Sequence, residues 1–208
     1  LKDRSLDLYG VLLRYPHQET QTRQTQQTIR VEQPAVKRST ASTTDKVRLG
    51  VIGVGGYVKA VHLPNIHRSA HLFQTVGFAS RSGAAAAVAA RKYGASIVTS
   101  DYRQLLASDD IDAVLVATRH ASHGQIVLDS LAAGKHVFVE KPLATQIDEC
   151  LQIEQQVRDS GLVVRVGFNR RFAPALRAMK SAVGDKGLRM LTCRVNVGDV
   201  SGHWSNSK

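Results

Sequence analysis

From Val47 onward the apolar residues gather in short, near-continuous blocks separated by longer stretches of helical spacing. The blocks are Val47 to Ile52, Leu72 to Ala79, Ile97-Val98, Asp112 to Thr118, His136 to Val139 and Leu162 to Gly167. They lack the polar alternation of a strand with one wet face, so they read as buried parallel strands. Between them the spacing predicts a helix from about Tyr57, interrupted near Pro64, which has no N–H to donate, and restarting there. Further helices are expected over Gly83 to Tyr93, Asp101 to Ala107, Ser122 to Ala133 and Gln146 to Ser160. Gly94, Gly134 and Gly161 stand where three of them should stop. Strand and helix in strict alternation predict an α/β fold with a doubly wound parallel sheet over residues 47–168.

The pattern changes on either side. Residues 17–46 are rich in Gln, Thr and Ser, with nothing to bury, and are expected to be a flexible linker. Leu6 to Pro16 has the content of a strand without a partner, so residues 1–16 read as the remnant of a preceding module. After Gly167 a helix over Pro174 to Val183 is followed by an alternating stretch, Leu188 to Val197, which begins a second, antiparallel sheet. One strand cannot bury its inner face. Residues 169–208 are therefore expected to start an incomplete α+β substrate domain.

Composition narrows the function. The 208 residues suffice for one domain and part of another. The net charge of +11 raises nucleic acid as a partner, but the basic residues are spread out and no recognition motif accompanies them, so none is expected. No apolar run reaches membrane-span length and no secretory signal is recognisable. Cys150 and Cys193 are isolated, without metal-ligand spacing, which fits a reducing, cytoplasmic setting.

Candidate chemistry sits at the carboxyl ends of the strands. The first block runs into Gly53-Val-Gly-Gly-Tyr57. Gly53 suits the tight reversal, and the bare backbone at Gly55 and Gly56 suits a pyrophosphate at the following helix N-terminus, with Tyr57 beside it. The dinucleotide fingerprint asks for a third small residue, where this chain has Val58. The second strand ends Phe78-Ala-Ser-Arg-Ser82, without the acid that bonds the ribose hydroxyls of NAD. Ser80 and Arg81 suggest NADP, the alternative being a solvated loop arginine. Thr118-Arg-His-Ala-Ser-His123 follows another strand. It reads as a cofactor-lining loop in which Thr118, Arg119, His120 and His123 contribute and Ser122 caps the next helix. His120 and His123 alone make a weak metal motif, so no metal is expected. Glu140-Lys-Pro142 follows the next strand, with a turn set by proline. Lys141 there is a candidate proton donor or acceptor, or simply an exposed lysine. Arg170 and Arg171 are candidates for an anionic or hydroxylated substrate, or for a structural ion pair.

Taken together, Gly53 to Tyr57, Thr118 to His120, Gly134-Lys-His-Val-Phe-Val-Glu-Lys-Pro-Leu143 and Gly167-Phe-Asn-Arg-Arg-Phe172 resemble the Gfo/Idh/MocA family, the glucose-fructose oxidoreductase and inositol dehydrogenase group. The resemblance covers about residues 46–204. It implies a Rossmann domain that binds NAD(P), with Lys141 beside nicotinamide and substrate, and hydride exchange with a sugar or cyclitol carbon. It also implies homo-oligomers formed through the substrate domain. Family members continue with a glycine-rich segment and a Glu-x-Cys-His-x-x-Asp-like helix whose Asp and His join the lysine. This sequence stops at Lys208, before that point. The isolated chain is accordingly expected to bind cofactor without turnover, either as an oxidoreductase fragment or as a non-catalytic dinucleotide-binding module. Tyr9-Gly-Val-Leu-Leu-Arg-Tyr-Pro16 is similar to the junction that follows a zinc-type alcohol dehydrogenase-like unit in two-module proteins of polysaccharide metabolism, which implies a sugar or nucleotide-sugar substrate.

Overall fold

The computed structural model describes residues 28–30, 46–183 and 194. The proposed strand Leu6 to Pro16 lies outside them, as does Leu188 to Val197 apart from residue 194. The chain divides into two compact units, 1–167 and 168–208.

The first unit is the expected α/β domain. Its strands are β1 (Thr28–Arg30), β2 (Val47–Ile52), β3 (Phe73–Ala79), β4 (Ile97–Thr99), β5 (Ala113–Val116), β6 (His136–Val139) and β7 (Val164–Val166). They form one sheet in the order β1-β4-β3-β2-β5-β6-β7. The order reverses at β2, with β3 on one side and β5 on the other, both parallel to it. Open α/β sheets bind ligands at such a point, outside the carboxyl ends of the strands. The exception to the parallel pattern is β1, which pairs antiparallel with β4 and places Ile29 opposite Val98. These three residues fall inside the stretch 17–46, so the unstructured reading does not extend to them. A single polar-flanked Ile among Thr and Gln gave no strand periodicity to read.

The helices are α1 (Leu63–Arg68), α2 (Gly83–Tyr93), α3 (Tyr102–Leu106), α4 (His123–Ala132) and α5 (Ile147–Ser160), with α6 (Pro174–Val183) in the second unit. Successive strand residues feed opposite faces of the sheet. Ile52, Val114, Val116, Val137 and Val139 join Leu105, Ile126, Val127 and Ile153 in one core layer. Their neighbours Val51 and Leu115 join Phe78, Val58, Leu63, Ala86 and Ala90 in the other. Small alanines let α2 lie close to the sheet around the fully buried Phe78 ring. Among the described residues no helix is long and apolar enough to cross a membrane.

The amino ends of the two central strands are tied together electrostatically. The backbone N–H of Arg48 donates to Asp112 Oδ2 at 2.8 Å, and its guanidinium Nη2 donates to Oδ1 at 2.6 Å. Arg48 holds the Asp112 carboxyl below the usual carboxylate range, chiefly by this hydrogen bond and against the opposing effect of burial. Nearby, the buried Lys135 ammonium donates to the carbonyls of Ser108 and Ile111, each at 2.9 Å.

One local expectation holds in part: a new α-helix begins beside Pro64, but the chain runs into it without a break. Pro64 stands in the first turn of α1, where no N–H is required. The chain reaches it through a π-helical turn, Val58–His62, in which Leu63 N–H donates to Val58 C=O. The wide turn coincides with the bulky Val58, 1% exposed, at the position the fingerprint reserves for a small residue.

A candidate dinucleotide site

Four segments converge at the carboxyl edge of the sheet, beginning with the glycine turn after β2. Gly53 adopts φ +96°, and a Cβ there would lie 2.5 Å from Ala117 O at the end of β5, so the two central strand ends touch backbone to backbone. Only glycine fits. Gly55 and Gly56 have nothing within 4 Å of a Cβ position, and both are exposed with Tyr57 beside them. Their bareness serves no internal packing; it leaves an open backbone cradle, which is what a phosphate needs.

Ser80 and Arg81 follow β3, next to this turn. Gly53 N–H donates to Ala79 O at 2.8 Å, and Ser80 N–H to Thr99 O at 3.1 Å. Arg81 is exposed.

The loop after β5 differs from expectation in two side chains. Ser122 does not cap α4: its hydroxyl donates to Arg119 O at 2.9 Å and pairs with Thr118 Oγ1 at 2.8 Å. His123 does not line the crevice, being 1% exposed with both ring nitrogens facing carbonyls. Nδ1 lies 2.7 Å from Pro142 O and Nε2 3.3 Å from Thr118 O. A carbonyl only accepts, so the short contact is an Nδ1–H donation. Arg119 is exposed and His120 half-buried. Burial, followed by the charges of His123 and Lys141, lowers the His120 pKa from its ordinary value. Among the described residues no three His, Cys, Asp or Glu side chains gather as metal ligands.

Glu140, Lys141 and Pro142 follow β6. Glu140 is largely buried against the ring of His62, whose Nε2 lies 2.7 Å from Glu140 Oε1. Its other oxygen accepts the Lys141 backbone N–H at 3.3 Å. The Lys141 side chain is exposed. Sequence reasoning missed His62. Its only signal was a position five residues past Tyr57, and the π-turn that aims it is not a pattern in the sequence. Arg170 and Arg171 belong to the second unit, exposed in a 3-10 turn over Asn169–Phe172, with the Arg171 guanidinium 5.9 Å from the Phe168 ring centre.

A groove of about 220 Å³ lined by Lys46, His67, Gln74 and Tyr93 lies at the amino ends of β2 and β3, away from the crevice. Ligands of doubly wound sheets bind at the other end.

A doubly wound sheet with a bare glycine cradle at its switch point defines a dinucleotide-binding domain. Residues 47–168 match the model of the Gfo/Idh/MocA oxidoreductases, an oxidoreductase family with an NAD-binding Rossmann fold, and the chain belongs to that family. Its cofactor class is thus a nicotinamide dinucleotide. Over 140 residues it is 34% identical to the uncharacterized oxidoreductase YrbE of Bacillus subtilis, covering 67% of this chain and 40% of that protein. Inositol 2-dehydrogenase 3 of Saccharopolyspora erythraea is 36% identical over 143 residues, 68% of this chain and 42% of its own. Among solved structures, the 3-ketoreductase KijD10 of Actinomadura kijaniata, in complex with NADP and TDP-benzene, superimposes with a TM-score of 0.63 at 29% identity, covering 66% of this chain and 42% of that one. The chain spans about 40% of the length of the curated relatives it matches.

Proposed function

We propose that this chain is the cofactor-binding part of an NADP-preferring oxidoreductase acting on a carbinol or carbonyl carbon of a sugar, cyclitol or nucleotide-sugar derivative. The observation that carries the reading is the open cradle at Gly55 and Gly56 on the same sheet edge as Lys141. Bound nicotinamide supplies the hydride acceptor or donor. The chain's own residues do the rest. The amides of the glycine turn hold pyrophosphate, Ser80 and Arg81 meet the adenosine ribose and its 2'-phosphate, and the Thr118 to His120 loop lines the nicotinamide half. Lys141 holds or moves the proton of the reacting hydroxyl. The names of the relatives, inositol dehydrogenases and a 3-ketoreductase, support polyol-type substrates.

In the same reading, residues 1–16 end a zinc-type alcohol dehydrogenase-like unit, 17–46 connect it apart from β1, and 169–208 open a substrate domain in which Arg170 and Arg171 contact substrate and through which copies associate. Fluorescence titration of the chain with NADPH tests the cofactor step, and absence of binding refutes the reading. The catalytic step is tested by Lys141→Ala in the longer protein. It should lower kcat by roughly 100-fold, the usual worth of a positioned acid or base. Retained kcat favours the rival reading, a dinucleotide-binding module without catalysis.

A further inference from the structure

Lys141 is exposed, yet the residue on each side of it is held by a histidine from a different segment. His62, on the π-turn that follows the glycine cradle, lies 2.7 Å from Glu140 Oε1. An ionised carboxylate only accepts, so Nε2 carries the proton and donates. The ring is fixed edge-on between Tyr57, 5.2 Å away, and Phe138, 5.7 Å away. Glu140 has space for this pose because residue 167 is glycine; a Cβ there would stand 3.0 Å from Oε1. On the other side His123, the first residue of α4, donates to Pro142 O at 2.7 Å. Apolar side chains would fill both places more cheaply, since a buried imidazole is stable only when its partners are in place. Two such rings bracketing one exposed lysine fix the backbone that carries it and leave its ammonium group free.

We propose that His62 and His123 are positioning residues for Lys141, and that His62 links the dinucleotide cradle to it through Glu140, whose Oε1 accepts from His62 Nε2–H and whose Oε2 accepts from the Lys141 backbone N–H. The inference rests on the dinucleotide reading, in which the Glu140 to Pro142 turn faces the nicotinamide half of the cofactor. The test uses the full 208-residue chain and two kinds of substitution. His62→Gln keeps a donor at about the reach of Nε2, whereas His62→Phe keeps only the ring contacts. His123→Asn and His123→Phe are the equivalent pair for Nδ1. Two readouts are the Lys141 amide resonance in a proton-nitrogen correlation spectrum, and affinity for NADPH against 2'-phospho-ADP-ribose, which lacks nicotinamide.

Both Phe variants should move the Lys141 resonance and weaken NADPH by roughly tenfold, on the scale of one hydrogen bond to a charged group, while phospho-ADP-ribose binds as before. The Gln and Asn variants should recover most of the loss. Should His123→Phe fail to fold, the His62 pair decides for the half-buried ring. An unmoved Lys141 resonance in His62→Phe overturns the proposal. So does a Gln variant no better than Phe, or equal weakening of both ligands, because packing alone would then account for the ring. A wild-type chain that binds neither ligand refutes the dinucleotide reading instead, and the Lys141 resonance still decides whether the histidine chain exists.

Discussion

Gly53 and Gly55 stand two residues apart in one turn, and the structure assigns them opposite liabilities. An alanine at Gly53 has to occupy φ +96° and place its Cβ 2.5 Å from the Ala117 carbonyl, a backbone atom of the central sheet that cannot swing aside. Backbone strain of this kind costs about 1–3 kcal/mol, and displacing β5 adds to it. Gly53→Ala should thus destabilise the domain by about 3 kcal/mol, lowering Tm by roughly 10 °C for a domain of this size. At Gly55 the same methyl meets nothing within 4 Å. Gly55→Ala should leave stability within about 0.5 kcal/mol of wild type. It should nevertheless weaken NADPH by tenfold or more, roughly, because the methyl occupies the space through which the pyrophosphate reaches the backbone. Urea melts and fluorescence titrations on the two variants separate the effects. Unchanged melting of Gly53→Ala would refute the clash argument, and unchanged NADPH affinity of Gly55→Ala would refute the phosphate cradle.

Arg81→Asp should reverse a preference for NADPH over NADH worth about 1–3 kcal/mol, and equal affinities in the wild type would sink the role given to Arg81. Asp112 has a lowered pKa in the fold because of Arg48. Its contribution to stability is thus complete above the unfolded value of about 3.9 and fades as pH falls through the lower folded one. Urea midpoints measured from pH 7 to 2 should fall less steeply in that window for Asp112→Asn than for wild type, and parallel curves would remove the pair from the account. Lys135→Met strands the carbonyls of Ser108 and Ile111 and should cost about 1–3 kcal/mol in a denaturant melt, an effect absent if water replaces the ammonium.

The centre of the sheet was legible because its strands are buried there on both faces. Val114, Leu115 and Val116 alternate between two core layers, so the sequence shows them as one apolar run. Gly53, Gly55 and Gly56 were legible because glycine is the residue such a backbone requires. The histidines were not. What His62 and His123 touch depends on a π-turn and on the junction of α4 with the turn after β6, and neither contact is local in sequence. Val58 illustrates the same limit: the fingerprint identified the departure, but not that a wider helical turn accompanies it. The edge strand β1 was hidden for another reason, since three residues held by backbone pairing need no side-chain pattern.

That short strand has a practical consequence. β4 is a three-residue strand whose side chains are all buried, with β3 on one side and β1 on the other. A recombinant domain trimmed to begin at Val47 would strip β1 away and leave a row of unpaired amides and carbonyls along Ile97, Val98 and Thr99, open to pairing with a neighbouring molecule. Starting the recombinant chain ahead of Thr28 keeps that edge closed, and gives the more tractable sample for crystallisation and spectroscopy.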